Sequence, residues 1–294
     1  MKTMTALIRR EYLEHRGAFL YAPATILSLV TLALAAALLF NKVRVPYEIG
    51  ATSALKFFEV GFLGMGALWS LYLMVALFFY YADAFSADRR NNAMLFWKSM
   101  PVSDFTVLSS KMLAGMTLLP ALIFAALIVS GILLYGLTGL AVIMMPGLEV
   151  PGVLEVLTSS VQLGFYALVH LVLALLWYAP FFAWVGGLST VFRRWSIPLA
   201  FLIPGMLGLV ENLFFFDAGP RGGYILNYLR RRLEFGPDRD NIETELLTAL
   251  SADTNAMLQS LLASIDWMQM VGGLIFAALA VLAASEYRRR VVST

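Results

Sequence analysis

The side chains able to do chemistry in this sequence are few and widely spaced. There are two histidines and no cysteine. His15 sits in a charged N-terminal stretch and His170 in the middle of an apolar one. They are too far apart for a His-Glu-x-x-His zinc motif, and none occurs. Without cysteine there is no thiolate nucleophile, disulfide or Cys-ligated metal, and no metal site is expected. No lysine follows a glycine, so the chain has no Gly-x-x-x-x-Gly-Lys-Ser/Thr phosphate loop. Three polar residues stand out inside apolar runs: His170, Glu211 and Asn212. His170 reads either as a hydrogen-bonding residue between helices or as a proton or substrate site inside a membrane. Glu211 reads either as a contact on a substrate route or as a residue at the interface where its span ends.

The elements that would position these residues follow from composition. The 294 residues are 60% hydrophobic and 14% charged, with a mean hydropathy of +0.79. Soluble domains hold roughly 45–50% apolar and about 25% charged residues. A soluble fold of this size lacks the core to hide so much apolar surface. The net charge of +2 is too small to imply nucleic-acid binding. The expected fold is all-α and polytopic, a single transmembrane domain over 1–294. Six spans are predicted: Phe19–Phe40, Gly61–Tyr81, Met112–Tyr135, Val161–Thr190, Ile197–Phe216 and Trp267–Ser285. The Gly139–Gly152 stretch, with Pro146 and Pro151, is expected at the interface.

Residues 1–18 predict an amphipathic helix, lying in the headgroup plane or extending the first span. They carry six charged residues and no signal-peptide pattern. Basic residues beside the short loops place both termini in the cytoplasm. These are Lys2, Arg9, Arg10 and Arg16, then Arg89, Arg90, Lys98 and Lys111, then Arg193 and Arg194, then Arg288–Arg290. The segment 217–266 falls outside. Within it, leucine spacing over Glu243–Ser264 predicts one or two short helices capping that face.

The most informative segment is the cytoplasmic loop 82–110. It leaves the second span with Asp88, Arg89 and Arg90. A short helical turn follows over Asn92–Met100, carrying Met94, Phe96, Trp97 and Lys98, and Pro101 stops it. Ser103 or Asp104 is then placed to cap the helix of the third span. Large apolar residues in a short polar loop require a protein partner or the lipid interface, and the residues alone leave both open. Arg89, Arg90 and Lys98 could likewise pair with a partner's acidic residues or serve as ordinary membrane anchors.

This loop resembles the segment between spans two and three of type-2 ABC exporter permeases of bacteria. Asp88-Arg89, then Met94-Leu95-Phe96-Trp97, then Ser99-Met100-Pro101-Val102-Ser103 take the places of that family's motif in order. Asn92-Ala93 replace its Gly-Thr, and Phe-Trp-Lys part of its leucine run. The general plan of an N-terminal amphipathic helix, six spans and an enlarged region between spans five and six is similar too. The resemblance implies a coupling helix in the loop that docks on a separate ATPase dimer. Asp88, Arg89, Arg90, Met94, Phe96, Trp97, Lys98 and Pro101 would form the contact. A second permease copy or paralogue would complete a pathway in the inner membrane. ATP and magnesium would be bound by the partner, and this chain would hold no cofactor of its own. Glu211, Asn212 and His170 are the polar residues available to line the pathway. The competing classes are an intramembrane enzyme or assembly scaffold, and an ion-driven secondary transporter. The first would need polar residues clustered at one depth of several spans, and the second repeat symmetry and acidic midplane residues.

Overall fold

A computed structural model describes residues 2–40, 42, 54–90, 103–144, 150–214, 223–236 and 253–291. Among these the regular structure is helical throughout. The helices are α1 (Lys2–Glu14), α2 (Ala22–Leu39), α3 (Ala54–Arg90), α4 (Asp104–Met144) and α5 (Val153–Phe192). They continue with α6 (Ser196–Phe214), α7 (Tyr224–Leu233), α8 (Thr254–Ser264) and α9 (Trp267–Val291). A π-helical turn, Gly17–Tyr21, joins α1 to α2. A 3₁₀ turn, Arg193–Trp195, joins α5 to α6.

Five stretches are long and apolar enough to cross a membrane: Gly17–Leu39, Ala54–Asp88, Asp104–Met144, Val153–Phe214 and Trp267–Arg290. The 62-residue stretch Val153–Phe214 contains both α5 and α6. Trp184 Nε1 donates to the Ala200 carbonyl at 3.4 Å. In one straight helix those residues would be about 24 Å apart, so α6 folds back on α5. Arg193, with φ 53°, sits at the reversal.

Contacts fix the direction of each helix. Tyr81 OH donates to the Met112 carbonyl at 2.7 Å and Trp69 Nε1 to Ser130 Oγ at 2.9 Å, so α3 and α4 run antiparallel. Ser159 Oγ donates to Glu59 Oε1 at 2.9 Å near the start of both helices, and Gly186 faces the Phe85 ring near their ends. Helices α3 and α5 are therefore parallel. The first residues of the chain run opposite to α3, with Tyr80 beside Glu11 and Tyr72 OH on the Ala18 carbonyl at 2.6 Å. Gly115 and Gly131 of α4 make the close approaches: a Cβ on the first would strike the Tyr81 hydroxyl, and on the second would lie 2.9 Å from the Phe62 ring.

The core runs along α3, α4 and α5, with α9 closing it through Ala277, Val281 and Ala284. Leu29, Leu32, Leu71, Ile132, Phe201 and Leu279 face outward with no protein over them. So wide an apolar exterior is stable only in lipid, and this is the surface of a multi-pass membrane protein. Several helices outrun the predicted spans. Helix α3 starts before Gly61 and ends after Tyr81, and α4 continues past Tyr135 to Met144. In α3 hydropathy stops at charges that the bundle buries, Lys56 and Glu59 at one end and Asp88 at the other, while in α4 the glycines Gly136 and Gly139 do not end the helix. The 243–252 part of the predicted capping helices lies outside the described residues. Within the rest, Asp253 caps α8, its Oδ1 accepting from the Asn255 and Ala256 amides. Sequence reading also passed over α7.

Candidate functional site

Five ionisable side chains from four helices meet at the end of the bundle where α3 stops and α4 starts. Glu11 comes from α1, Asp88 from α3, Asp104 and Lys111 from α4, and Arg288 from α9. Lys111 Nζ lies 3.2 Å from Glu11 Oε1 and 3.5 Å from Asp88 Oδ1. Arg288 Nη1 donates to Asp88 Oδ2 at 2.9 Å, and its Nε lies 2.8 Å from Asp104 Oδ1. Tyr80 OH sits 3.1 Å from both Glu11 Oε2 and the Lys111 carbonyl. His15 borders the group, with Nε2 3.8 Å from Glu11 Oε2 and its ring edge-on to Tyr80.

Local sequence explains why each group arrives there. Glu11 and Leu7 lie one helical turn apart on α1, and both are buried. Ser103 caps α4, its Oγ accepting from the Thr106 amide at 3.2 Å, as one of the two residues expected to do so. Asp104 follows in the first turn, where the helix dipole favours a carboxylate. Lys111 is two turns further on, and the same face brings it to Asp88. Glu11, Asp88, Lys111 and Arg288 are all but fully buried, while Asp104 keeps part of its surface. Among these five groups, three carboxylates and two cations leave one formal negative charge. Removing these groups from water costs several kcal/mol each, and mutual pairing offsets that. Breaking one pair therefore strands a buried charge. The arrangement presents no nucleophile aligned with a base. Among the described residues no group of three or more His, Asp or Glu side chains could hold a metal ion. What this network does is mechanical: it ties α1, α3, α4 and α9 together at one level.

Its position relative to the loop matters most. Asp88 is the last buried residue before the 89–103 segment and Asp104 is the first residue of α4. Arg288 holds both. Of the residues expected to meet an ATPase, Asp88 is thus turned inward onto partners in its own chain. Arg89 and Arg90 form the last turn of α3. Met94, Phe96, Trp97, Lys98 and Pro101 lie outside the described residues.

The residues expected along a pathway are not brought together. Glu211 Oε1 and Oε2 accept from the Tyr224 and Ile225 amides at 2.7 and 2.8 Å, so this carboxylate caps the N-terminus of α7. Asn212 Nδ2 donates to the Gly208 carbonyl at 2.8 Å. His170 faces elsewhere, onto a cavity of about 210 Å³ between α3, α4 and α5. That cavity is apolar, its wall including Phe62, Trp69, Phe124, Tyr166 and Met257.

Arg232, in the last turn of α7, escaped sequence analysis altogether. It is 1% exposed, and its guanidinium carbon lies 4.3 Å from the centre of the Trp177 ring. Trp177 Nε1 donates to the Arg232 carbonyl at 2.8 Å and Tyr178 OH to the Leu233 carbonyl at 2.9 Å, so α5 anchors the end of α7. Among the described residues Nε, Nη1 and Nη2 have no hydrogen-bond partner. Burial pushes the guanidinium below its ordinary pKa, with the charges of Tyr228 and Asp266 acting the other way. An arginine nevertheless keeps its proton.

No family model, curated protein or solved structure matches the chain.

Proposed function

We propose that the chain is the transmembrane subunit of an ATP-binding cassette exporter in a bacterial inner membrane, driven by separate ATPase subunits that dock on the 82–110 loop. In this reading the chain crosses the membrane six times, with α5 and α6 as separate crossings and both termini in the cytoplasm. Two copies, or this chain and a paralogue, form the pathway, and the ATPases carry ATP and magnesium. The observation that supports it most is the grip of Arg288 on both Asp88 and Asp104, on either side of the 89–103 segment. A loop on free hinges would absorb a push. One whose roots are fixed by buried ion pairs passes the push to α3, α4 and α9 together, and through Lys111 to α1. Coupling of that kind needs a two-state element that a ligand bound elsewhere can bias, and in this reading the α3–α4 hairpin is that element.

The test is to co-express the chain with a candidate ATPase encoded beside it. The Phe96→Ala, Trp97→Ala double variant should insert normally and lose the ATPase on purification. Undiminished co-purification with substrate-responsive ATP hydrolysis would sink the docking. A reporter fused after Thr294 should stay cytoplasmic, and a periplasmic signal would overturn the six crossings.

A further inference from the structure

A buried cation with no counter-charge is a rarer observation than a buried ion pair, because nothing offsets its desolvation. Among the described residues Arg232 is such a cation, since no side chain hydrogen-bonds or ion-pairs with its guanidinium. One face of its guanidinium is covered by Trp177, and Nη2 is pressed against Gly273 of α9, where a Cβ would collide with it. Asp266 feels its charge, but its Oδ1 accepts from the Gln269 amide at 3.1 Å at the start of α9. A planar fork of five donors held this way matches the two oxygens of a phosphate or carboxylate.

The surroundings say what should be attached to that oxyanion. Trp177 and His170 lie two turns apart on one face of α5, about 10.5 Å along the axis. The Phe235 ring is 5.9 Å from Trp177 and 5.2 Å from His170, so it stands between them. On the far side of His170 is the apolar cavity of about 210 Å³. Phe235 is only half-buried, and it follows the end of α7, beside Gly236 with φ +102°. Phe235 therefore separates the Trp177 ring, over which the guanidinium sits, from His170 at the cavity wall.

We propose that Arg232 is the oxyanion seat of a binding site for an amphiphile, whose apolar chain passes Phe235 into the cavity beside His170. The site is independent of the exporter reading, since it involves neither the loop nor an ATPase.

The full chain, in nanodiscs of neutral phosphatidylcholine, is titrated with decyl phosphate, decanol and inorganic phosphate. Binding is read by native mass spectrometry and by thermal stabilisation. Decyl phosphate should bind at least tenfold tighter than either fragment. Arg232→Met should reduce it to the level of decanol, and Arg232→Lys, which keeps the charge but loses the fork, should fall between. Gly273→Ala leaves every charge in place and should weaken decyl phosphate at least tenfold by displacing Nη2. Equal binding by the natural chain, Arg232→Met and Gly273→Ala overturns the proposal, as does decanol binding as tightly as decyl phosphate. Inorganic phosphate binding as tightly as decyl phosphate overturns the apolar arm. If a variant does not insert, the three-ligand comparison on the natural chain decides alone.

Discussion

The chain contains two arginine triplets, Arg230–Arg232 and Arg288–Arg290, each at the end of a helix. In each, two side chains are exposed and one is buried. Arg232 and Arg288 are 1% and 2% exposed, yet their situations are opposite. Arg288 lies between two carboxylates, while Arg232 has an aromatic face and a glycine. The difference teaches that burial of a charge has two meanings. Where the counter-charges are built in, the charge holds helices together. Where none is paired among the described residues, as at Arg232, the position is the proposed seat of a ligand that brings one.

The contrast can be broken most forcefully at Arg288. Arg288→Ala strands Asp88 and Asp104, and the expected loss is about 3–5 kcal/mol of stability, measured by denaturant unfolding in detergent. A loss below about 1 kcal/mol would mean that the network is not a structural tie. At the margin of the same network, Tyr80→Phe removes a hydroxyl placed between Glu11 and the Lys111 carbonyl. It should cost about 1–2 kcal/mol in the same assay. Arg232→Met should do the reverse, raising the melting temperature of ligand-free protein by the equivalent of about 1 kcal/mol. Relief of an unsatisfied buried group there outweighs the lost stacking on Trp177. A loss as large as that of Arg288→Ala would make the two arginines alike. Arg289→Ala, which removes an exposed contact to Glu286, should leave unfolding unchanged within the scatter of the measurement.

Much of the helical bundle was legible in the sequence, because apolar runs of about 20 residues have few alternatives in a membrane protein. The charged site was less so. Lys111 was read as the residue marking the membrane boundary and Arg288–Arg290 as positive-inside charges, readings that local sequence supports equally for all of them. Arg288 meets Asp88 across 200 positions of chain, and no spacing rule announces that. Glu211 was visible as an unusual carboxylate, but its use depends on amides 13 and 14 residues later. Arg232 was hidden by company: with two solvated arginines before it, a triplet looks uniformly polar. The signal that could have found it is the rotation of about 100° per residue along α7. That rotation turns Arg232 inward while Arg230 and Arg231 stay outside.

The π turn at Gly17–Tyr21 sets a phase. A π turn accommodates about one residue more than an α turn, so α1 enters the bundle rotated by roughly 100° from where an unbroken α-helix would carry it. Glu11 and Leu7 are buried with that offset in place. The carboxylate that meets Lys111 therefore depends on the residue count between two helices as much as on its own identity. Shortening the turn by one residue would leave every network side chain in the sequence and aim one of them the wrong way.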